Sequence, residues 1–495
     1  MKPLYKKMNV SDLDLTRNLA CSVTPLGPLI PWNMNAVIAL DLLGVSCFQY
    51  APYCFQAYVM PVLLIVNYLL FNKRGGQQMG KIKNTESLLN HGDRESRKKI
   101  TELLERMWAK VDAYHLIKEL MSVDGNRLTI GTKRWDMDKL GNIYLFGAGK
   151  ACNAMAMAVC DVLKEKLTEG VISVKIAEDN DTYINTRVYV GGHPLPNEEG
   201  YRAAEDIIQM IDKGKPGDLF ISVISGGSSA LLTCPKEGIT LQEEIQAQDM
   251  LLRSGAKIEE INAVRRHISR TNGGRLAEQV LKNGAEIVNI IVGDGVGVKP
   301  TVDFKAPFQF FGTPVAPDKT TIQDARDCIR NYQLEDKLPE SILKYLYEDN
   351  PEHETPKAFG EGVTHFCLNN VPDSCEAAVE AAREMGISSM VFSTFIEGES
   401  REAGYFFASM AREIQANHRP IKAPCFVFCS GETTTKVEDG CRGTGGPSHE
   451  LALGFAHGAR YTAGAALASV DTEGTDGTTR YAGALTDSQT LRDAF

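Results

Sequence analysis

Residues 218–238 read DLFISVISGGSSALLTCPKEG. Leu219 to Ile224 is apolar apart from Ser222 and leads into Ser225-Gly226-Gly227-Ser228-Ser229. Ala230-Leu231-Leu232 then suits the first turn of a helix. The pattern describes a buried strand, a tight turn and a helix start. Paired glycines let the backbone come close to a ligand. The free N–H groups of a first helical turn suit an anion such as phosphate, and the serine hydroxyls add donors. An ordinary strand-to-helix turn with a serine cap fits the same residues.

The chain has 495 residues, 43% of them hydrophobic and 23% charged, which fits two to four globular domains. A net charge of −10 gives no footing for nucleic acid. The 12 cysteines are scattered, with no CxxC pair and no Cys/His cluster at zinc spacing. Reduced thiols in a cytoplasmic setting are therefore expected. Cys425 and Cys429 would share one face of a strand, as buried apolar residues rather than ligands.

The N-terminal region differs from the rest. Residues 24–71 are rich in apolar and aromatic side chains, and Asp41 is their only charge. Tyr53 to Phe71 approaches the roughly 20 residues a spanning helix prefers. Arg74 and the basic stretch after it would keep the following chain on the cytoplasmic side. The apolar part starts too late for a signal peptide. A buried hydrophobic hairpin is the alternative. Residues 75–97 are polar and read as a linker. The run TPLGPLIPWNMNAVIALDLLGVSCFQYAPYCF resembles the C-terminal end of bacterial Na+/H+ antiporters, where a Pro-Leu-Ile-Pro-Trp-Asn turn precedes the last membrane helices. That resemblance covers residues 20–75. It implies a fused remnant with membrane contact through residues 24–71, not a transporter.

From residue 100, short apolar runs alternate with helical patterns. The expected strands are Ile143–Phe146, Arg187–Val190, Leu219–Ile224, Ala285–Val292, Thr364–Leu368, Met390–Ser393, Cys425–Cys429 and Ala466–Val470. The expected helices include Lys150–Lys166, Tyr201–Asp212, Ile258–Ile268, Ser374–Met385 and Glu402–Asn417. Such alternation predicts an α/β fold with a parallel sheet covered on both faces. The polar stretch Lys344–Phe359, with two prolines, is the expected domain boundary.

Several turns carry residues suited to chemistry. Leu145-Phe146-Gly147-Ala148-Gly149-Lys150-Ala151 is a second strand–glycine–helix turn. It lacks GxGxxG, because Cys152 stands where the third glycine belongs, and it lacks the Walker spacing. Lys150 at a helix start opposes the helix dipole unless an anion compensates. His193, in the stiff Gly191–Asn197 loop, could bond a substrate or simply brace the loop. Asn262 and Arg265 lie on a predicted helix, and arginine suits bidentate capture of carboxylate or phosphate. Asp294, in Gly293–Gly297 after a strand, suits Mg2+ held with nucleotide phosphates. Glu432 follows another strand. Gly445, Gly446 and Glu450 belong to the turn before a helix, and Asp476 to the polar loop 471–479. In open α/β sheets such turns converge at one edge.

Together FGAGKACNAMA, GGHPLPNEEG, ISGGSSALLTCPKEGITLQE, LLRSGAKIEEINAVRRHISRTNGGRLA, SGETTT, GGPSHELAL and GTDGTTRYAGALTD resemble the glycerate 2-kinase family, whose C-terminal part is called the MOFRL domain. The strings run in the family's order over residues 100–495. The resemblance implies a Rossmann-like larger domain over 95–350, a smaller MOFRL-like α/β domain over 360–495, and a hydrophobic helical segment over 1–78 in front of them. It implies ATP-dependent phosphorylation of D-glycerate, 2-phosphoglycerate favoured, in a cleft between the two domains, with Mg2+. Lys150 would contact the transferring phosphate, the Ser225–Ser229 turn would cradle phosphate or carboxylate, and Arg265 would pair with an anionic group. Asp294, with Glu432 or Asp476, would hold Mg2+ or orient the acceptor. The chain departs from the family at Asn289-Ile290, where Ser-Asp is usual, at Phe311-Gly312-Thr313-Pro314, and at Pro447, where many members carry arginine. A family segment Thr-Gly-Pro-Thr-Gly-Thr-Asn would lie beyond Phe495, which suggests an incomplete frame. Two other readings are a nicotinamide-dependent hydroxypyruvate reductase and an inactive membrane-attached remnant. The incomplete GxGxxG, and the lack of an acidic residue ending the next strand, speak against the reductase.

Overall fold

The computed structural model describes residues 80–178, 181–437 and 442–493. The chain divides into two units, Met1–Lys83 and Asn84–Phe495. The hydrophobic segment expected over 1–78, with its antiporter-like turn, lies outside the described residues. Among the described residues no helix is long and apolar enough to cross a membrane.

The second unit begins with α1 (Thr85–Leu89), α2 (Arg94–Lys110) and α3 (Ala113–Leu120). The Asp93 and Asp112 carboxylates cap α2 and α3, accepting from the Ser96 and His115 amides. An antiparallel meander follows: β1 (Met121–Asp124), β2 (Arg127–Ile130) and β3 (Lys133–Asp136). The chain then lays down β4 (Ile143–Gly149), α4 (Cys152–Leu163), β5 (Glu169–Val174), β6 (Thr186–Val190), α5 (Glu198–Asp212) and β7 (Leu219–Ile224). A single turn, α6 (Ser228–Leu231), leads to α7 (Leu241–Arg253), α8 (Ile258–His267), α9 (Arg275–Lys282) and β8 (Glu286–Val292). Next come α10 (Ile322–Asn331), α11 (Glu340–Tyr347) and β9 (Val363–Asn369).

Strands β4 to β9 form one parallel sheet in the order β6-β5-β4-β7-β8-β9. β4 and β7 are central and buried along their whole length, which is why their sequences read as near-continuous apolar runs. Helices α3 and α4 cover one face through Ile117, Leu120, Met155 and Val159. α5 and α9 cover the other through Ile207, Ile211, Leu276 and Val280. Helices α7, α8, α10 and α11 share a separate apolar core. From β4 the strand order runs outward both ways, so the sheet's switch point lies between β4 and β7. Ligands of open α/β sheets bind at the carboxyl ends of the strands flanking such a point.

The rest of the unit is smaller: α12 (Val371–Glu384), β10 (Ser388–Glu399), α13 (Ser400–Asn417), β11 (Cys425–Thr434), α14 (Pro447–Ala459), β12 (Ala466–Val470), β13 (Gly483–Asp487) and α15 (Thr490–Asp493). β10 pairs with β11 in parallel, and β12 with β13 antiparallel.

Two expectations need correction. The boundary placed over Lys344–Phe359 does not end the larger sheet. β9 lies beyond it and pairs with β8, Phe366 opposite Ile290. The polar, proline-bearing stretch holds the end of α11, with Leu346 in an apolar core, and the loop that leads into β9. The strand after α4 is β5, which the sequence pattern passed over in favour of β6.

Candidate active site

Lys150 is the first residue past β4, and the serine–glycine turn is the first past β7. The two turns are stitched together. The Lys150 amide donates to the Gly226 carbonyl at 2.9 Å, and the Ala151 amide donates to Ser225 Oγ at 3.0 Å. Gly149 has φ +139°, and a Cβ there would strike Ser225. Gly227 has φ +80° and faces the His193 ring, which lies 2.8 Å from where a Cβ would stand. Both glycines thus occupy backbone shapes that L side chains resist.

The C-terminal end of β12 delivers the opposing charge. Lys150 Nζ lies 3.0 Å from Glu473 Oε2 and 3.4 Å from Asp471 Oδ2. Burial disfavours the Lys150 ammonium, but these two carboxylates outweigh it and hold the pKa above the ordinary lysine value. Asp294, just past β8, joins them. A Cβ on Gly226 would fall 2.2 Å from Asp294 Oδ2 and 2.5 Å from Glu473 Oε1. The two carboxylates therefore converge over bare glycine backbone. Burial, the Asp294 charge and Lys150 acting in opposition leave the Glu473 carboxyl raised to about 7. Asp294 is exposed to solvent, yet protein crowds its carboxylate closely. That crowding raises its carboxyl, with Lys150 opposing and Asp471 reinforcing. Glu432, at the end of β11, is raised by the same crowding and by Asp294.

Cations also act on this region. Burial pushes the His193 imidazole down to about 4, and Lys150, Lys175 and Arg265 add to the shift. That direction favours the neutral ring at pH 7. Arg265 is buried on α8, its Nε without a hydrogen-bond partner, and desolvation lowers its pKa. Asn262 is half-buried on the same helix. Ser228 and Ser229 open α6, and the Ser229 carbonyl accepts from Asn272 Nδ2 at 3.4 Å.

Four expected residues make other contacts. The Asp476 carboxylate accepts from the Ser448 and His449 amides, at 3.2 and 2.9 Å, and from His449 Nδ1 at 2.5 Å. It caps the start of α14, so the carboxylate expected to hold a metal is engaged in these three contacts. Gly446 lies against that cap, and the Gly445 carbonyl accepts from the Thr478 amide at 3.1 Å; both shape the loop. Glu450 pairs with Arg401, Oε1 to Nε at 2.7 Å, on the outer surface of α13 and α14. Sequence reasoning chose Asp476 from loop 471–479 and passed over Asp471, Glu473 and Lys175. Only the register of β12 and its loop distinguishes the cap from the site carboxylates.

The resemblance implies Mg2+, and the residues present fit it. Glu473 Oε1 is buried without a hydrogen-bond partner and converges with Asp294 Oδ2. Mg2+ binds through one or two carboxylates, leaving other positions to phosphate and water. Among the described residues no three His, Cys, Asp or Glu side chains group to hold a metal by themselves.

A domain of unknown function, DUF4147, matches residues 99–347, and the MOFRL family matches 425–495. The glycerate 2-kinase of Pyrococcus horikoshii is 32% identical over 384 residues, covering 77% of this chain and 83% of that protein. The chain belongs to the glycerate 2-kinase family. The crystal structure of a Thermotoga maritima glycerate kinase aligns with TM-score 0.63 and 31% identity, over 80% of this chain and 88% of that one. A protein of Agrobacterium vitis, named provisionally as a hydroxypyruvate reductase, is 33% identical over 358 residues, covering 72% of this chain and 78% of that protein. Family membership thus accounts for the motif order, the parallel sheet and the MOFRL segment.

Proposed function

We propose that the cleft transfers the terminal phosphoryl group of ATP to a hydroxyl of D-glycerate, the C2 hydroxyl favoured. The observation that carries this reading is Lys150 held by the Glu473 and Asp471 carboxylates where Asp294 and His193 close on the glycines of the Ser225–Ser229 turn. Phosphoryl transfer needs positioning and charge neutralisation more than covalent chemistry. Lys150, now matched by Glu473 and Asp471, exchanges them for the transferring phosphate. The amides of the Ser225–Ser229 turn cradle that phosphate or the glycerate carboxylate. Arg265 pairs with the carboxylate, and His193 and Asn262 bond the neutral part of the acceptor.

Asp294 would hold Mg2+, with Glu473 beside it left free of the metal; when bound, the metal would draw charge from the phosphate oxygens. The acceptor oxygen bonds to the γ-phosphorus as the bond to the β–γ bridging oxygen breaks, and ADP leaves with that electron pair. The hydroxyl proton passes to a cleft carboxylate. Glu473, raised to about 7, is best matched to this at neutral pH.

The reductase reading has the Agrobacterium name in its favour. A nicotinamide site of this topology sets an acidic residue at the end of the strand after the first helix, to bond the ribose. Here β5 ends at Val174 and the next residue is Lys175. Cys152, fully buried, stands where the third glycine belongs. ADP formation that requires D-glycerate tests the kinase reading. Oxidation of NADH by hydroxypyruvate in its place would carry the other.

A further inference from the structure

Gly149 of β4 and Val174 of β5 are register partners. Lys150 and Lys175 are the residues that follow them, so two neighbouring parallel strands, about 4.8 Å apart, deliver two ammonium groups to one edge. Both lysines reach the same loop after β12. Lys150 Nζ meets Glu473 at 3.0 Å and Asp471 at 3.4 Å. Lys175 Nζ donates to the Thr475 hydroxyl at 2.5 Å. One lysine is matched by carboxylates and the other rests on a hydroxyl. Burial and then the Lys150 charge push the Lys175 pKa down, with the Asp471, Glu473 and Asp476 carboxylates opposing. Two ammonium groups side by side in a half-buried site repel unless an anion completes them. A monocarboxylate brings one charge; a triphosphate chain brings enough for both.

We propose that Lys175 is a second phosphate-binding residue, gripping the nucleotide's phosphate chain beside Lys150. The proposal rests on the kinase reading of this cleft. Lys175 leaves Thr475 for a phosphate oxygen, a charge-assisted contact stronger than a neutral one. Lys175→Met keeps the apolar stem and removes the charge; Lys175→Arg keeps the charge.

Direct titration of the full chain with Mg2+-ATP, ADP and AMP, without D-glycerate, tests it. Lys175→Met is expected to weaken ATP and ADP binding about tenfold each, one charge-assisted contact's scale. AMP affinity and the KM for D-glycerate are expected to stay within about twofold, and Lys175→Arg to recover most of the loss. Unchanged ATP affinity overturns the proposal. So does an equal loss for AMP, or a rise confined to the KM for D-glycerate, which would give the lysine to the acceptor carboxylate. Should Lys175→Met not fold, by its melting curve, Lys175→Gln is read in its place. A wild-type chain that binds no nucleotide sinks the kinase reading itself. A wild-type chain that binds ATP with the Lys175 contrast, yet does not phosphorylate D-glycerate, sinks the acceptor reading and leaves the lysine proposal standing.

Discussion

Lys150 Nζ and Glu473 Oε2 meet at 3.0 Å, one residue just past β4 and the other on the loop after β12. The contact joins the larger sheet to the C-terminal part at the switch point between β4 and β7. The two charges thus neutralise each other at the site proposed for the transferring phosphate. Lys150→Met removes the point charge on the transferring phosphate. The expected loss in kcat is about a hundredfold or more, the scale seen when one preorganised transition-state donor is removed. Steady-state kinetics under saturating Mg2+-ATP and D-glycerate check it; a variant with full activity would remove Lys150 from the chemistry.

Glu473 sets the pH dependence. Its carboxyl is raised to about 7 by burial and by the Asp294 charge, against Lys150. A base acts only when unprotonated. The profile of kcat/KM should therefore rise with pH and level off above about 7, an apparent value belonging to the Asp294–Glu473 pair rather than to one residue. Glu473→Gln should lose the limb along with most of the rate. A profile flat from pH 5 to 8 in the wild type would assign the proton elsewhere.

Gly226 is where the carboxylates close on the phosphate turn. The Cβ of Gly226→Ala would stand 2.2 Å from Asp294 Oδ2 and 2.5 Å from Glu473 Oε1. The acids must shift by about an ångström, a displacement that costs up to about a hundredfold in rate. We expect kcat/KM to fall at least tenfold while far-UV circular dichroism stays unchanged. Wild-type kinetics from this variant would show that the cluster has slack.

Stability has a separate keystone. Arg97 on α2 lies 2.5 Å from Asp487 at the end of β13, both side chains almost wholly buried. Arg97 also donates to the Leu88 carbonyl and to Thr490 Oγ1. Removing one partner strands a buried charge, and Arg97→Ala should cost about 3–5 kcal/mol. Denaturant unfolding measures it. A cost below about 1 kcal/mol would mean that water replaces the guanidinium.

Much of this was legible in the sequence, for physical reasons. β7 runs Leu219–Ile224 as expected, because a buried parallel strand is one apolar run bounded by glycine or polar residues; β12, half-buried and antiparallel to β13, also runs Ala466–Val470 as expected. β5 was missed: Glu169 and Gly170 make its start look like a turn, and the polar residues after Lys175 hide its end. The site was half legible. Lys150, Gly226, Gly227, His193, Arg265 and Asp294 stand at strand or helix ends that the pattern defines. Asp476 was preferred over Glu473 because both sit in one polar loop, and which faces the cleft and which caps α14 depends on tertiary register. Lys175 was invisible without β5.

The most direct measurement is phosphorus NMR of the product formed by purified protein, Mg2+-ATP and D-glycerate. The account predicts ADP and 2-phosphoglycerate in equal amounts, and no ADP without the acid. ATP left intact, with NADH consumed on adding hydroxypyruvate, would contradict it.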